Sequence, residues 1–230
     1  MLNFLKAKIK RMLQYLRGAR DRLVLCASSR KAIFSRYYQT NFWGGRESLS
    51  GRGSDSIETK IICRELPGIL SSIKARVILD VPCGDFNWMK DINLPVEEYI
   101  GADIVAELID NNERRYGRPG RRFFRADIVS ASLPKADLIL VRDALVHLSN
   151  KDVLRAIANL KSSGSIYLLT TTFVRHGESD IVTGQWRPIN LEEKPFNFPK
   201  PLALFNEECP EGEGYADKSL GLWKFSDLKI

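Results

Sequence analysis

Cysteine and histidine are scarce in this sequence. The four cysteines, Cys26, Cys63, Cys83 and Cys209, are scattered, with neither paired metal-ligand spacing nor the density of a disulfide scaffold. A reducing, cytoplasmic setting is therefore expected. Only two histidines occur, His147 and His176, so every imidazole-based role must fall to one of them. No apolar run approaches the ~20 residues that a membrane-spanning helix needs. Lys6, Lys8, Lys10 and Arg11 break up the candidate apolar region near the start, and no signal peptide is expected there. No internal repeat is visible. A Gly-x-Gly-x-x-Gly run is also missing, which disfavours a dinucleotide cofactor.

What remains is ordinary in composition. The 230 residues, 44% hydrophobic and 27% charged, suit one globular domain with a sizeable core. The net charge of +7 is unevenly spread. Residues 1 to 31 hold nine Lys/Arg and one acid, Asp21, whereas the other 199 residues hold 26 basic and 27 acidic side chains. The basicity belongs to the N-terminus, and a nucleic-acid-binding face on the main domain finds no support.

The segment "MLNFLKAKIKRMLQYLRGARDRL" reads as an amphipathic helix. Leu2, Leu5, Ile9, Met12, Leu13 and Leu16 form one stripe, with most basic residues opposite. Such a helix can lie on an anionic membrane surface, or its stripe can pack on the domain or on a second subunit. Residues 1–35 are taken as this N-terminal element and 36–230 as the main domain. Residues 36–56 read as a loop rich in glycine and small polar groups. Residues 56–73 have helical periodicity, with Asp55, Ser56 or Thr59 available as caps and Pro67 as an interruption.

From residue 76 short apolar strands alternate with helices. "RVILDV", "EYIGADI", "RRFFRADI", "ADLILVRD" and "SIYLLTTTF" are the strands, and helix-like stretches cover about 86–91, 105–115 and 149–161. Apolar strands separated by helices predict a mostly parallel, Rossmann-like α/β sheet covered on both faces. Residues 174–216 read as a long substrate-side loop region. "PLALF" and "LGLWKF" are expected to close the sheet as an antiparallel edge.

In such a sheet, ligands sit where strand order reverses, at the carboxyl ends of the strands. The turn in "VILDVPCGDFNWMK" places Gly84 just after the first strand. There glycine permits close backbone approach, and a helix beginning at Phe86 would present free N–H groups. Asp103 follows at the end of the second strand, 19 residues on, which suits a carboxylate gripping the hydroxyls of a ribose. Pro82 and Phe86 stand where a dinucleotide turn would want small residues.

"ILDVPCGDFNW" resembles motif I of the class I S-adenosylmethionine-dependent methyltransferases. "YIGADIV", "FRADIV" and "ADLILVRDALVHL" resemble their second-, third- and fourth-strand motifs. More specifically, "SGxGS", "PCGDFNW", "RDxLVHLS", "LLTTTF", "TGxWRPxNL" and "DKSLGLW" are similar to a bacterial subgroup of that family, over most of residues 37 to 224. The resemblance implies a seven-stranded sheet and S-adenosylmethionine as cofactor. It implies that Asp80, Cys83 and Gly84 border the methionine end, Asp103 with Ile104 the ribose, and Asp127 with Ile128 the adenine. Asp85 either bonds the cofactor's amino group or caps the helix at Phe86, the cap being preferred. Residues 50–56, "SGRGSDS", would fold over the cofactor's carboxylate as a nest of N–H groups, with a disordered linker as the competing reading.

Methyl transfer from a sulfonium needs the acceptor atom placed opposite the sulfur, and a hydroxyl acceptor also needs a base. His147 lies four residues after Asp143, so a helix there would put both on one face, with the carboxylate orienting the imidazole. Asp143 can instead bind the acceptor hydroxyl. Arg142 reads as structural or acceptor-binding. Trp186, Arg187 and Asn190 in "TGQWRPINL" suit a sugar or a polar anionic acceptor, with a packed connection as the alternative. Asp143, Glu178 and Asp180 form no compact ligand pattern, and no metal is predicted. These readings point to O-methylation of a sugar- or lipid-linked hydroxyl, at the inner membrane surface if residues 1–31 reach lipid. A small-metabolite or protein acceptor, or a non-catalytic cofactor-binding scaffold, are the rival readings.

Overall fold

The computed structural model describes residues 20–177, 179–209 and 213–229. The apolar stripe expected at Leu2 to Leu16 therefore lies outside the described residues, as does Glu178. Residues 20–27 are helical, and α1 (Arg30–Gln39) follows, with the Ser29 hydroxyl accepting from the Ala32 N–H at its start. The expected boundary at residue 35 falls inside α1. Ile33 and Tyr37 of that helix are buried, so its chain belongs to the domain from Arg30 onward.

Seven strands form one sheet in the order β3-β2-β1-β4-β5-β7-β6. They are β1 (Val77–Asp80), β2 (Glu98–Asp103), β3 (Arg121–Arg125), β4 (Leu138–Val141), β5 (Tyr167–Phe173), β6 (Ala203–Asn206) and β7 (Lys218–Lys224). The first five pair in parallel, while β7 runs antiparallel between β5 and β6. The two C-terminal apolar pieces thus close the sheet as an antiparallel hairpin, with β6 at the edge.

Both faces of the sheet are covered, and the alternation of side chains decides which neighbour each meets. Ile78, Leu138 and Leu140 pack with Ile62, Leu66, Ile69 and Leu70 of α2 (Ser56–Ser72) and with Leu108 and Ile109 of α3 (Ala106–Tyr116). Leu79, Ile139 and Val141 face the other way, onto Val153, Ala156, Ile157 and Leu160 of α4 (Asn150–Ser162). Burial on both faces is what makes these strands read as unbroken apolar runs.

Two local expectations are corrected. Pro67 does not interrupt α2, which runs through it. Leu66 on one side and Ile69 and Leu70 on the other are fully or nearly buried, and that packing outweighs one missing backbone bond. The helix is capped from a distance: the Glu47 carboxylate accepts from the Ser56 N–H at 2.8 Å and the Ser56 hydroxyl at 2.9 Å. Nor does a helix begin at Phe86. Its φ is +60°, and its buried ring lies 5.1 to 5.2 Å from those of Tyr99, Tyr116 and Phe123. Placing the ring there costs the regular helix, and only a 3-10 turn, Met89–Asp91, remains.

Candidate active site

Strand order reverses between β1 and β4, and a cleft opens at their carboxyl ends. Asp80, Cys83, Gly84, Asp103, Ile104, Asp127, Ile128, Arg142, Asp143 and His147 all line it. Trp186, Arg187 and Asn190 do not.

The turn after β1 is held from three sides. The Cys83 N–H donates to the Ala102 carbonyl at 2.8 Å. Asn112, the one buried polar residue of α3, donates to the Gly84 carbonyl at 2.8 Å. Asp103 accepts from the Gly84 N–H at 3.3 Å and from the Val105 N–H at 3.0 Å. Gly84 has φ +53°, and a Cβ there would collide with the Ser50 side chain. Glycine is required by the close approach of segment 48–54.

That segment is ordered. Asp85, expected as a helix cap, has no helix to cap. Its carboxylate accepts from the Ser48 hydroxyl at 2.8 Å and from the Leu49 N–H at 2.8 Å, while the Asp85 N–H donates to Ser50 Oγ at 2.8 Å. Leu49, Ser50 and Ser54 thereby form a wall of the cleft.

Burial sets the charge state of the two acids on β1 and β2. Asp80 is pushed up to about 7, although it accepts from the Tyr99 hydroxyl at 2.6 Å. Asp103 is pushed up to about 6, with its backbone hydrogen bonds opposing the rise. A buried carboxylate in this condition gains from any further donor placed against it.

Asp127, expected to face the adenine, lines the cleft but is already engaged within the chain. The Arg30 guanidinium donates to both its oxygens, at 2.8 Å for the shortest contact, and the Val129 N–H and the Ser130 hydroxyl add bonds. Burial would raise Asp127, but these donors hold it below the ordinary carboxylate range. Arg30 also reaches Asp152 at 3.2 Å. In the sequence Arg30 stands in the basic N-terminal segment, and no local signal marks its partner 97 residues away.

Arg142 is spent on structure. Its guanidinium donates to Glu207 at 2.7 Å, to the Gly53 carbonyl at 2.6 Å and to the Glu58 carbonyl at 3.3 Å. Three of its five N–H groups are thus held within the chain, which favours the structural reading of Arg142 over the acceptor-binding one. Asp143 does not orient His147 either. It stands at φ +51° outside any helix and accepts from Lys218 at 2.7 Å, with Arg142 at 3.4 Å. Burial would raise its pKa, but the two cations push it down to about 2.

His147 closes the 3-10 turn Leu145–His147. Its Nδ1 lies 3.0 Å from the Gln185 carbonyl. A carbonyl only accepts, so Nδ1 carries the hydrogen, and Nε2 has a free lone pair with no hydrogen-bond partner among the described residues. Burial lowers the His147 pKa, opposed by that carbonyl, so the ring is neutral near pH 7. The Trp43 ring centroid is 5.3 Å away.

Residues 182–187 hold this turn from outside. The Gly184 N–H donates to the His147 carbonyl at 2.8 Å, and the Arg187 N–H to the Val146 carbonyl at 3.0 Å. The Arg187 guanidinium donates to the carbonyls of Ser179 and Leu145 and to Asn150, and Asn190 to the carbonyls of Val174 and His176. Both were expected to meet an acceptor. They instead staple the loop, because buried main-chain carbonyls claim their donors.

No family model and no curated protein matches the sequence. Solved structures do match. Over 82% of this chain and 97% of theirs, the coordinates are similar to the N-methyltransferase NodS from Bradyrhizobium japonicum WM9 in complex with S-adenosyl-L-homocysteine, at 16% identity and a TM-score of 0.59. The methyltransferase domain of bacterial CtHen1-C matches at 13% identity, 72% and 97% coverage and a TM-score of 0.55. Human N-acetylserotonin methyltransferase in complex with S-adenosylmethionine matches at 13% identity and a TM-score of 0.51, over 73% of this chain and 53% of that one. The fold is that of the S-adenosylmethionine-dependent methyltransferases. In this methyltransferase fold the chain's seven strands are all parallel except β7, which runs antiparallel beside the edge strand β6. Acceptors differ among the matching proteins, so the fold leaves the acceptor open.

Proposed function

We propose that this chain is a methyltransferase that uses S-adenosylmethionine and methylates a hydroxyl group. The observation that carries the reading is that one cleft at the strand-order reversal brings together Gly84, Asp103 and His147. The residues fit the cofactor. Gly84, at φ +53°, lets the turn close against Ser50 at the wall of the cleft, and Asp103 is a buried carboxylate whose raised pKa favours two hydroxyl donors. Ile104, Leu108 and Ile128 supply apolar contact, and the buried acid Asp80 lies where a cationic centre would be stabilised. The saturation of Asp127 by Arg30 argues that adenine is held by these apolar side chains and by main chain rather than by that carboxylate.

When bound, S-adenosylmethionine supplies a methyl group made electrophilic by its sulfonium. The chain's own contribution is placement, exclusion of water and removal of one proton. Nε2 of His147 accepts the acceptor's hydroxyl proton, while the Gln185 carbonyl keeps the hydrogen on Nδ1 and fixes the ring. Arg142, Lys218, Asp143 and Glu207 hold the floor beside it as a closed set of two cations and two anions.

The test is incubation of the full chain with isotopically methyl-labelled cofactor and fractionated cell extract. Label in a base-stable ether of a glycan or glycolipid fraction supports the reading. Label confined to amines, or no label despite tight S-adenosylhomocysteine binding, refutes it. Contact of residues 1–31 with a membrane surface is part of the same proposal, supported by their charge alone.

A further inference from the structure

Outside the cleft lies an aromatic group that methyl transfer itself does not use. Phe173, buried at the end of β5, meets three rings edge-on: His176 at 5.6 Å, Trp186 at 6.2 Å and Tyr215 at 6.1 Å. His176 and Tyr215 lie nearly parallel, 5.9 Å apart with 19° between their planes. Trp186 stands perpendicular to Tyr215 at 5.1 Å. Trp186 as a residue is 42% exposed, which is unusual for so large an apolar side chain placed beside others.

A polar edge borders these rings. His176 Nδ1 lies 3.2 Å from Asp217, whose side chain is 4% exposed and also accepts from the Arg175 N–H at 2.7 Å. The carboxylate only accepts, so it holds the hydrogen on Nδ1. Nε2 of His176 then has no hydrogen-bond partner among the described residues. The buried acid fixes the outer nitrogen as a hydrogen-bond partner for something outside the protein.

A partly exposed tryptophan beside a fixed imidazole suits a molecule with one apolar face and a hydroxyl-bearing edge, which describes a pyranose. Its C–H face packs on an aromatic ring, and its hydroxyl reaches the imidazole. A purely apolar ligand would leave the imidazole unused, and an anion would meet the nearby Asp217 carboxylate. The position also fits, because Trp186 directly follows Gln185, whose carbonyl holds His147. Phe173 stands at the same carboxyl edge of the sheet as the cleft.

We propose that Trp186, Tyr215 and His176 form the docking site for a sugar ring of the acceptor, presenting a hydroxyl towards His147. Its role in methyl transfer rests on the function proposed above, whereas its affinity for a sugar does not.

Saturation-transfer NMR on the full chain, with methyl glucoside, methyl galactoside and methyl rhamnoside as probes, tests it. Ring C–H protons of at least one probe should gain saturation. Trp186→Ala and His176→Ala should each weaken that binding about tenfold or more, with Trp186→Phe recovering most of it. Saturation unchanged in the alanine variants overturns the proposal. So does a Trp186-dependent signal from 2-naphthol with none from any sugar. S-adenosylhomocysteine calorimetry runs alongside: no binding by the unmutated protein would sink the methyl-transfer reading while leaving the sugar result standing.

Discussion

Nδ1 of His147 lies 3.0 Å from the carbonyl oxygen of Gln185, and no carboxylate takes that place. A neutral carbonyl fixes the tautomer without holding the ring in its charged form. Burial then lowers the His147 pKa instead of letting it rise. His147→Ala should cut turnover by about 10²–10⁴-fold, with the S-adenosylhomocysteine dissociation constant unchanged. Because the base acts when neutral and its pKa is lowered from 6.5, turnover should be flat above pH 6.5 and fall in more acid solution. A pH–rate profile that falls only above neutrality would refute the role.

Asp103 is held by the N–H groups of Gly84 and Val105 and is the acid best placed to bind a diol. Asp103→Ala should weaken S-adenosylhomocysteine at least about tenfold, since two charge-assisted bonds are lost. Adenine alone should be affected much less. Full cofactor affinity in calorimetry would remove Asp103 from the site.

Asp80 gives a stability prediction. Burial raises its folded pKa from 3.8 to about 7, so the folded state binds the proton more tightly than the unfolded state. That contribution is fully present below pH 3.8 and is lost as pH rises through 7. Asp80→Asn keeps an acceptor for the Tyr99 hydroxyl and removes the charge. It should stabilise the protein at pH 8 by about 2 kcal/mol and have little effect at pH 4. Melting curves at both pH values decide the matter, and equal shifts at the two would contradict it.

The buried set Arg142, Asp143, Glu207 and Lys218 balances two charges of each sign. Lys218→Met leaves an uncompensated anion and should cost about 3–5 kcal/mol in denaturant unfolding. Adding Glu207→Gln should recover part of that loss. A double variant less stable than Lys218→Met would mean that the set is held by packing rather than by charge.

The alternation of strands and helices from residue 76 was legible because burial on both faces writes itself as continuous apolar runs. For the same reason Asp80, Asp103 and Asp127 stood out as acids ending such runs. Asn112 carried a readable signal too, as a polar residue on the apolar face of α3 beside Leu108 and Ile109. Whether those acids were free was not legible. Arg30 reaches Asp127 across 97 residues, and Lys218 reaches Asp143 across 75.

By itself, then, the sequence determined the sheet, the position of the turn at Gly84 and the carboxylates around it, since these follow from local periodicity and steric limits. Only the tertiary structure decided which polar groups were used up. It gave Asp143 to Lys218, Arg187 and Asn190 to main-chain carbonyls, and His147 to Gln185. Hydrogen bonds are short-ranged in space, and nothing in chain separation records them.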